Sequence, residues 1–388
     1  MARVAMLLEN NSYPQDVRVR SEAESLVRAG HEVTVIAPRG AGQPRRERID
    51  GVRVKRFHLP ETPASPLGFV LEYGIANVRL YFAGLLALLG GAKVLHLHNP
   101  PDTLFGIGFI ARLLGRDVVF DHHDLAPELF EAKFGRSPVS GLLRLCERLT
   151  FRSATLVVAA NESHREVAEG RGGVPAARIA VVRNGPPAAA FAAAIEPRGG
   201  ALSDPHLLFL GSMESQDGVD ELLPLLEVLA NEHGLPAARL TVVGEGSRRG
   251  PLSERVAAAE LDGRVRFTGR VHHAEVPGLL AAADICVDPA PGTELNQRST
   301  MVKIAEYMAA ERAVVSFPLL ETRRTGGEAV AYAEREDTAA LAAQVAALAR
   351  DPERRLQLAR LGAERARELG WSRSEQQLLA AYAGLQSG

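Results

Sequence analysis

Short apolar runs alternate with longer amphipathic segments throughout the first half of the chain. The amphipathic segments, such as "DVRVRSEAESLVRAG" and "DTLFGIGFIARLLG", repeat their apolar residues at helical spacing and place Gly30 and Gly115 just past a helix end. The apolar runs have the length of strands: "VAMLL", "EVTVIAP", "VRVKRF", "AKVLHLH", "DVVFDHH", "ATLVVAA" and "IAVVRN". Because strands alternate with helices, the pattern predicts an α/β fold with a parallel, doubly wound sheet.

A segment rich in Pro, Ala and Gly, "GPPAAAFAAAIEPRGGALSDP", interrupts this alternation and is typical of a linker. The strand–helix pattern then restarts with "HLLFLG", "RLTVVGEG", "RVRFTGR", "ICVDP", "AVVSF" and "AVAYA", and the tail contains only helical patterns. The sequence therefore predicts two α/β domains, residues 1–190 and 201–370, joined by a linker at 191–200.

The composition is that of a globular protein. The chain has 388 residues, of which 46% are hydrophobic and 24% are charged, so it is long enough for two cores of ordinary size. A formal net charge of -2 provides no global field for nucleic acid, and no nucleic-acid partner is expected. Cys146 and Cys286 lie far apart in apolar surroundings, which predicts buried thiols rather than a disulfide and fits a reducing compartment.

The sequence predicts neither a signal peptide nor a membrane-spanning helix. The initial run "MARVAMLLENN" is about as long as one strand and lacks a cleavage-type site. The longest apolar stretch is interrupted by Glu72 and Arg79, which a spanning helix would tolerate poorly. The cytoplasm is the expected location. The basic run "RGAGQPRRERIDGVRVKR" predicts a mobile loop and leaves open a peripheral contact with anionic lipid at the inner face of the membrane.

Polar residues follow the strands of both predicted domains. Ligands of doubly wound sheets bind outside the carboxyl ends of the strands, so these residues are the first candidates for a site. A cleft between the two sheet edges is the simplest expectation. In the first domain the residues are Asn10, Asn11, His98, Asn99, Asp121, His122, His123 and Asp124, and in the second they lie in "GSMESQDG", "GEGSRRG", "TGR" and "DPAPGTELNQRSTM".

The stretch "NQRSTMVKIAEYM" has the residues of a phosphate-binding helix start. Ser299 or Thr300 is the expected N-cap, and the backbone N–H groups that follow, with Lys303, would attract a phosphate. Glu306 lies further along the helix, and a carboxylate can accept hydrogen bonds from both hydroxyls of a ribose. The alternative is an ordinary capped helix with a glutamate that faces solvent.

Three glycines follow strands of the second domain. Gly244, Gly246 and Gly269 would let a base or a phosphate approach the backbone, although each could equally form a tight turn. The spacing "GEG" is not the dinucleotide fingerprint, so a nicotinamide enzyme is poorly supported. Neither a P-loop nor a nucleophile elbow is present in the sequence.

The stretch "VVFDHHDLAPELF" ends a strand with two histidines that should point to opposite faces and serve different purposes. A metal site is a possible use of this region, but no H-E-x-x-H motif or paired-cysteine spacing supports it, and no metal is expected. The residues considered for it are His96, His98, His122, His123 and Asp124.

The first predicted helix begins with basic residues. Asp16 is the expected N-cap, and Arg18 and Arg20 follow on the first turns, where they oppose the helix dipole. This placement indicates either binding of an anionic group or a solvated basic face.

Taken together, "SEAESLVRAGHEVTVIAPRG", "FDHHDLAPELF", "VVRNG", "LTVVGEG", "VRFTGRV", "AADICVDP" and "STMVKIAEYMAAERAVVSF" resemble glycosyltransferase family 4 of the GT-B enzymes, in order and over nearly the whole chain. The stretches "QDGVD" and "STMVKIAEYMA" are similar to those of the bacterial exopolysaccharide and cell-surface glycan branch. The resemblance implies two Rossmann-like domains, an acceptor bound by the first and a nucleotide-sugar by the second. It also implies retention of anomeric configuration and no metal requirement. The tail helix, 371–388, would cross back to complete the first domain, with Trp371 near the crossing.

The chain departs from the family pattern at three charged positions. The family's E-x7-E motif falls on Arg298 and Glu306, so the first glutamate is replaced, with Glu294 or Asn296 as candidate substitutes. The arginine and lysine that grip the diphosphate in the family fall on Ser212 and Asp217. Lys303, Arg298 and the N–H groups of Thr300 to Val302 are the candidates to replace them.

The function expected from this resemblance is transfer of a sugar from a nucleotide-diphosphate-sugar to a hydroxyl acceptor, with no cofactor. The alternatives are a GT-B nucleotide-sugar 2-epimerase and a non-catalytic nucleotide-sugar-binding relative. The predicted catalytic residues are His123, which matches the family's histidine, Lys303 and Glu306. The predicted donor-binding residues are Arg298, Ser299, Thr300, Met301, Val302, Gly211, Gly244, Gly246, Gly269, Arg270, Glu294 and Asn296. The predicted acceptor-binding residues are Asn10, Asn11, Asp16, Arg18, His98, Asn99 and Asp124.

Overall fold

The computed structural model describes residues 1–59, 66–186 and 197–385, without the side chains of 66–73 and of His273. The chain divides into two compact units, Met1–Arg183 with Ser372–Gly388, and Asn184–Trp371. Most of the predicted linker, 191–196, lies outside the described residues.

The first unit contains an eight-stranded sheet. Its strands are β1 (Arg3–Leu7), β2 (Glu32–Pro38), β3 (Arg46–Ile49), β4 (Val52–Phe57), β5 (Val94–His98), β6 (Asp117–His122), β7 (Leu156–Ala159) and β8 (Ile179–Val181). Their order is β3-β4-β2-β1-β5-β6-β7-β8, and every pairing except β3 with β4 is parallel. All seven predicted strands of this unit are confirmed, because strands buried on both faces appear as continuous apolar runs.

The prediction of a mobile loop in the basic run, 39–56, was wrong for residues 46–56, most of which lie in strands. β3 (Arg46–Ile49) forms an antiparallel hairpin with β4 at the sheet edge. Arg56 is buried there and forms an ion pair with Glu47, and its guanidinium donates to the carbonyl oxygens of Pro44 and Tyr13. These contacts hold the hairpin at the edge of the sheet.

The helices of the first unit are α1 (Val17–Arg28), α2 (Pro66–Leu89), α3 (Phe105–Leu113), α4 (Ala126–Phe134), α5 (Pro138–Ser153), α6 (Glu162–Gly170) and α15 (Trp371–Leu385). Asp16 caps α1 as predicted, because its side chain accepts a hydrogen bond from Val19 N at 3.0 Å. Gly30 and Gly115 follow the ends of α1 and α3 with positive φ, as the sequence predicted. α15 joins this unit by residues such as Tyr382, whose hydroxyl lies 2.8 Å from His96 Nδ1.

The second unit contains a six-stranded, all-parallel sheet. Its strands are β9 (His206–Leu210), β10 (Arg239–Val243), β11 (Val265–Gly269), β12 (Ile285–Asp288), β13 (Ala313–Ser316) and β14 (Val330–Tyr332), in the order β11-β10-β9-β12-β13-β14. The helices are α7 (Leu222–Asn231), α8 (Arg249–Ala258), α9 (Val276–Ala281), α10 (Glu294–Arg298), α11 (Val302–Ala309), α12 (Leu320–Gly326), α13 (Thr338–Arg350) and α14 (Pro352–Glu368). One large apolar core fills this unit. The predicted α/β fold class is therefore confirmed in both units.

Two further predictions concern cysteines and membrane helices. Cys146 and Cys286 are both free thiols, with Cys286 buried and Cys146 half-buried. Among the described residues, no helix combines the length and the apolar character needed to cross a bilayer.

Candidate functional site

In the second unit, the predicted glycines lie at the carboxyl edge of three neighbouring strands. Gly244 has a φ of +139°, and a Cβ at this position would overlap the carbonyl oxygen of Gly211. Gly211 N donates to Val243 O at 3.0 Å, and Gly244 N donates to Gly269 O at 3.1 Å. The close approach of these loops to one another therefore already requires glycine at position 244, whether or not a ligand is bound.

The helix expected to begin at Ser299 or Thr300 begins instead at Val302, with Met301 at the N-cap position. Ser299 ends α10, and its hydroxyl donates to Leu295 O at 2.9 Å rather than to the following helix. The N-cap prediction was therefore wrong. Met301 provides no side-chain acceptor for the first N–H groups of α11. Such a start leaves the first N–H groups without an intrahelical acceptor, as an anion site requires.

Lys303 lies on the first turn of α11 and is buried between two carboxylates. Its Nζ is 3.0 Å from Asp217 Oδ1 and 3.4 Å from Asp288 Oδ1, and it lies 4.4 Å from the centroid of the Phe209 ring. Burial raises the pKa of Asp288, although Lys303 opposes this effect. The cation is thus already paired, and the aspartate at the family's lysine position is one of its two partners.

Glu306 is a half-buried carboxylate one helical turn after Lys303. Burial raises its pKa to about 7 from an ordinary value of 4.5, against the opposing charge of Lys303. No hydrogen bond joins the carboxylate to any described residue. Glu306 lies about 6 Å along the helix axis from Val302, the first residue of α11, at a rise of 1.5 Å per residue. A ligand with hydroxyl donors would supply the missing partners.

The other predicted donor residues differ in accessibility. Asn296 is buried, and its amide donates to Gln216 O at 2.7 Å and to Pro291 O at 2.9 Å. Asn296 was predicted to replace the first glutamate of the family's E-x7-E motif. That prediction is corrected, because both amide hydrogens already donate to backbone carbonyl oxygens. Glu294 and Arg270 are exposed, whereas Arg298 and Thr300 are half-buried.

In the first unit, Asn99 holds the backbone beside His123. Its Oδ1 accepts from the N–H groups of His123 at 2.8 Å and Asp124 at 3.1 Å. Its Nδ2 donates to Asp124 O at 2.6 Å and to Asp102 Oδ1 at 3.1 Å. Asn99 is fully buried. The amide therefore has no free donor or acceptor for the acceptor molecule that the sequence analysis assigned to Asn99, because all its bonding capacity is used within the unit.

The two adjacent histidines have separate partners, as the sequence predicted. His122 Nε2 lies 3.3 Å from Glu147 and its ring contacts Phe151. His123 Nδ1 lies 3.3 Å from Asp121 Oδ2. Burial alone would lower the pKa of His123, but the charges of Asp121 and Asp124 overcome it and raise the pKa to about 9. His123 is therefore a cation at neutral pH.

Arg18 does not bind an external anion. It is buried and donates to both oxygens of Asp121 at 2.8 Å and to Val182 O at 2.8 Å. Glu22 lies 3.2 Å from the same guanidinium. The anion-binding prediction for Arg18 was wrong because its partner, Asp121, comes from a distant strand.

His98 is also internal rather than an acceptor ligand. It is fully buried, its Nδ1 lies 2.9 Å from Asp121 Oδ2, and its ring stacks on His96 with centroids 4.3 Å apart. Asp121 thus contacts Arg18, His98 and His123 at once. The sequence pattern predicted that Asp121 lies at the sheet edge, but it did not predict that one carboxylate contacts these three side chains.

The remaining candidates of the first unit lie around these buried residues. Asn10 and Asn11 are exposed after β1, Asp124 is half-buried, and Asp16 is engaged as the cap of α1. Glu22, His96, His98 and Asp121 bring possible metal ligands within 4.8 Å of one another. The guanidinium of Arg18 already supplies the positive charge between the two carboxylates there.

The chain matches two family profiles. A glycosyl transferase 4-like domain covers residues 15–185, and glycosyl transferases group 1 covers residues 204–351. The chain is 26% identical over 369 residues to phosphatidyl-myo-inositol mannosyltransferase of Mycolicibacterium smegmatis. That match covers 93% of this chain and 87% of the mannosyltransferase. The chain is 32% identical over 184 residues to glycogen synthase of Mycobacterium tuberculosis. That match spans 45% of this chain and only 41% of the length of glycogen synthase.

Solved structures share the fold at low sequence identity. Sucrose-phosphate synthase from Thermosynechococcus elongatus has a TM-score of 0.71 and 17% identity, over 99% of both chains. HepE of Anabaena, in complex with UDP and glucose, has a TM-score of 0.69 and 15% identity, over 99% of this chain and 100% of HepE. An E. coli protein described as trehalose-6-phosphate, bound with UDP-2-fluoro glucose, has a TM-score of 0.73 and 14% identity, over 98% of both chains. With both halves of the chain matched by glycosyltransferase profiles and the fold shared with such enzymes, the chain belongs to the GT-B glycosyltransferases of family 4.

Proposed function

We propose that the protein is a retaining, metal-independent glycosyltransferase that transfers a sugar from a nucleotide-diphosphate-sugar to a hydroxyl acceptor. One observation carries this proposal. Glu306 is a half-buried carboxylate with a pKa raised to about 7 and no hydrogen-bond partner among the described residues, four residues beyond the start of a helix whose N-cap residue, Met301, offers no side-chain acceptor. An anion-attracting helix start followed by an acceptor of two hydroxyl hydrogen bonds fits a diphosphate joined to a ribose.

The identity of the donor is supported by the relatives. HepE and the E. coli protein are described with UDP, UDP-glucose or a fluorinated UDP-glucose, and the mycobacterial relative is named as a mannosyltransferase. These names favour a nucleotide-sugar with a hexose.

Lys303 and α11 are the proposed holders of the diphosphate. Lys303 would exchange Asp217 for a phosphate oxygen when the donor binds, while Asp288 keeps the amine in place from the other side. The N–H groups at the start of α11, between Thr300 and Val302, would donate to the same phosphates. These fixed donors and the ammonium group stabilise the charge that develops on the leaving diphosphate, which is the role that a metal plays in other transferases.

The proposed reaction needs no side-chain nucleophile. The bond between the anomeric carbon and the diphosphate oxygen breaks, and the acceptor oxygen forms its bond to the same face of that carbon. The acceptor proton passes to the leaving phosphate oxygen, so atoms and charges balance. His123, held as a cation by Asp121, would donate a hydrogen bond to the transferred sugar or to the acceptor. The exposed Asn10 and Asn11, with Asp124, are the proposed acceptor contacts.

The test is a thermal-shift screen of purified protein against nucleoside diphosphates and nucleotide-sugars, since a ligand that binds only the native state raises its stability. Hits are then incubated with and without candidate acceptors, and the anomeric configuration of the product is read by NMR. The Glu306→Gln variant should lose the ligand-induced shift, whereas Glu254→Gln, which replaces an exposed glutamate of the same unit, should keep it.

Three outcomes would change the functional assignment. Conversion of the nucleotide-sugar without an acceptor would favour a 2-epimerase. Binding without turnover across the panel would favour a non-catalytic relative, which the pairing of Lys303 with Asp217 would then explain. An absolute need for a divalent cation in the transfer assay would contradict the metal-independent mechanism.

A further inference from the structure

Three helices of the first unit form one outer layer. α3 packs between α2 and α5. Gly84 of α2 lies against Ile107 of α3, and Gly108 of α3 lies against Ser153 of α5. Small residues at both crossings let the three helices approach closely, so their outward sides form a continuous surface.

Large apolar side chains cover this surface. Phe82 is 64% exposed, Leu89 is 73% exposed and Leu113 is 86% exposed, which is unusual for side chains of this size. On α2 the exposed residues recur at helical spacing along one side, opposite the buried Leu80 and Leu88. We call the following set the outer helix face: Val78, Phe82, Leu85, Leu86 and Leu89 of α2, Phe109, Ile110 and Leu113 of α3 with the adjoining Leu114, and Val139, Leu142 and Leu145 of α5.

Among the described side chains of these helices, the exposed charges are basic. Arg79, Arg112, Arg148 and Arg152 are exposed on the same three helices, and none forms an ion pair with a described residue. Among the described side chains of these helices the acidic residue is Glu147, which is buried and paired with Arg171. Arg112 is close enough to Asp117 to lower the pKa of that carboxyl group, so Arg79, Arg148 and Arg152 carry the free positive charge. The outer helix face thus combines exposed hydrophobic side chains with a net positive charge among its described side chains.

We propose that the outer helix face docks on the surface of an anionic lipid bilayer. Apolar side chains on a surface helix insert at the boundary between headgroups and acyl chains, and arginines on the same helices bind anionic headgroups. Charge complementarity favours lipid over a second copy of the chain. In a twofold dimer the same patch meets itself, so the arginines of one copy would face an equally basic surface. The proposal does not depend on the transferase activity, because no residue of the outer helix face belongs to the candidate site.

The test is sedimentation of the full-length protein with vesicles of phosphatidylcholine, with or without phosphatidylglycerol. We expect binding to the anionic vesicles, weaker binding to the neutral ones, and loss of binding at high salt, because exposed charges are screened. Combining Phe82→Ser with Leu113→Ser should weaken binding at least tenfold. The matched control is Leu320→Ser, a leucine of the second unit that is 41% exposed and should leave binding unchanged.

The charge contribution is tested separately with Arg148→Gln and Arg152→Gln together. Each arginine near an anionic surface strengthens binding roughly fivefold, so replacing both should weaken binding about 25-fold. Circular dichroism checks that all variants remain folded, which their exposure predicts.

Two results would overturn the proposal. The first is failure of the folded wild-type protein to bind anionic vesicles. The second is analytical ultracentrifugation showing a dimer that Phe82→Ser with Leu113→Ser dissociates, without any vesicle binding by the wild type. That result would assign the outer helix face to a second copy of the chain.

Discussion

Replacing Glu306 by glutamine should stabilise the protein and at the same time weaken ligand binding tenfold or more. The folded-state pKa of Glu306, about 7, lies above the ordinary value of 4.5 because burial disfavours the charged form. A group with a raised pKa makes its full contribution to stability below the unfolded value. That contribution is lost as the pH rises through the folded value. At about 1.4 kcal/mol for each unit of pKa, the ionised carboxylate costs ~3 kcal/mol above pH 7.

Glutamine keeps the shape of the side chain and cannot ionise. The gain in stability of Glu306→Gln over wild type should therefore be small near pH 4.5, grow between about pH 5 and pH 7, and level off above. At about pH 8 the gain of ~3 kcal/mol corresponds to roughly 10 °C in the unfolding temperature of a unit of this size. Differential scanning calorimetry over a pH series measures it, with Glu254→Gln as the control.

The same carboxylate predicts how ligand binding depends on pH. Ribose hydroxyls donate to the ionised form, so donor affinity in wild type should rise as the pH passes through about 7 and remain constant above. In Glu306→Gln this dependence should disappear along with most of the affinity. If the variant were instead destabilised at about pH 8, or if its stability differed from wild type by the same amount at every pH, the reasoning about Glu306 would be refuted.

Three other substitutions test the surrounding contacts. Asp217→Asn removes one partner of Lys303, so the donor KM should fall severalfold in steady-state assays, and a higher KM would contradict the proposed exchange of partners. Asp121→Asn leaves the buried Arg18 without its bidentate partner and should destabilise the first unit by about 3–5 kcal/mol in urea unfolding, whereas unchanged stability would show that Arg18 finds other partners. His123→Gln should slow transfer at least tenfold while calorimetry shows a folded protein, and normal turnover would remove His123 from the mechanism.

The strands could be predicted because parallel strands buried on both faces are continuous apolar runs. β3 (Arg46–Ile49), with the sequence "RERI", was missed because an edge strand of a hairpin carries no such run. Its position depends on pairing with β4, which local sequence does not reveal.

In the candidate site, features that depend on residues close in sequence could be predicted. Contacts between residues far apart in sequence could not. Local spacing predicted that Lys303 and Glu306 lie on one helix, and both lie on α11. Arg18 was misassigned because Asp121, its partner, lies 103 residues further along the chain. The start of α11 was misplaced because Ser299 bonds back to Leu295 instead of capping forward, a competition that residue type alone does not decide.

The central claim is that Glu306 holds the ribose of a nucleotide whose diphosphate lies at the start of α11. Isothermal titration calorimetry tests it directly, with the nucleoside diphosphate found in the screen and its 2′,3′-dideoxy analogue, each against wild type and Glu306→Gln. The account predicts that loss of the hydroxyls weakens binding to wild type by tenfold or more and has almost no effect on the variant. An equal loss of affinity in both proteins would place the ribose elsewhere and contradict the account.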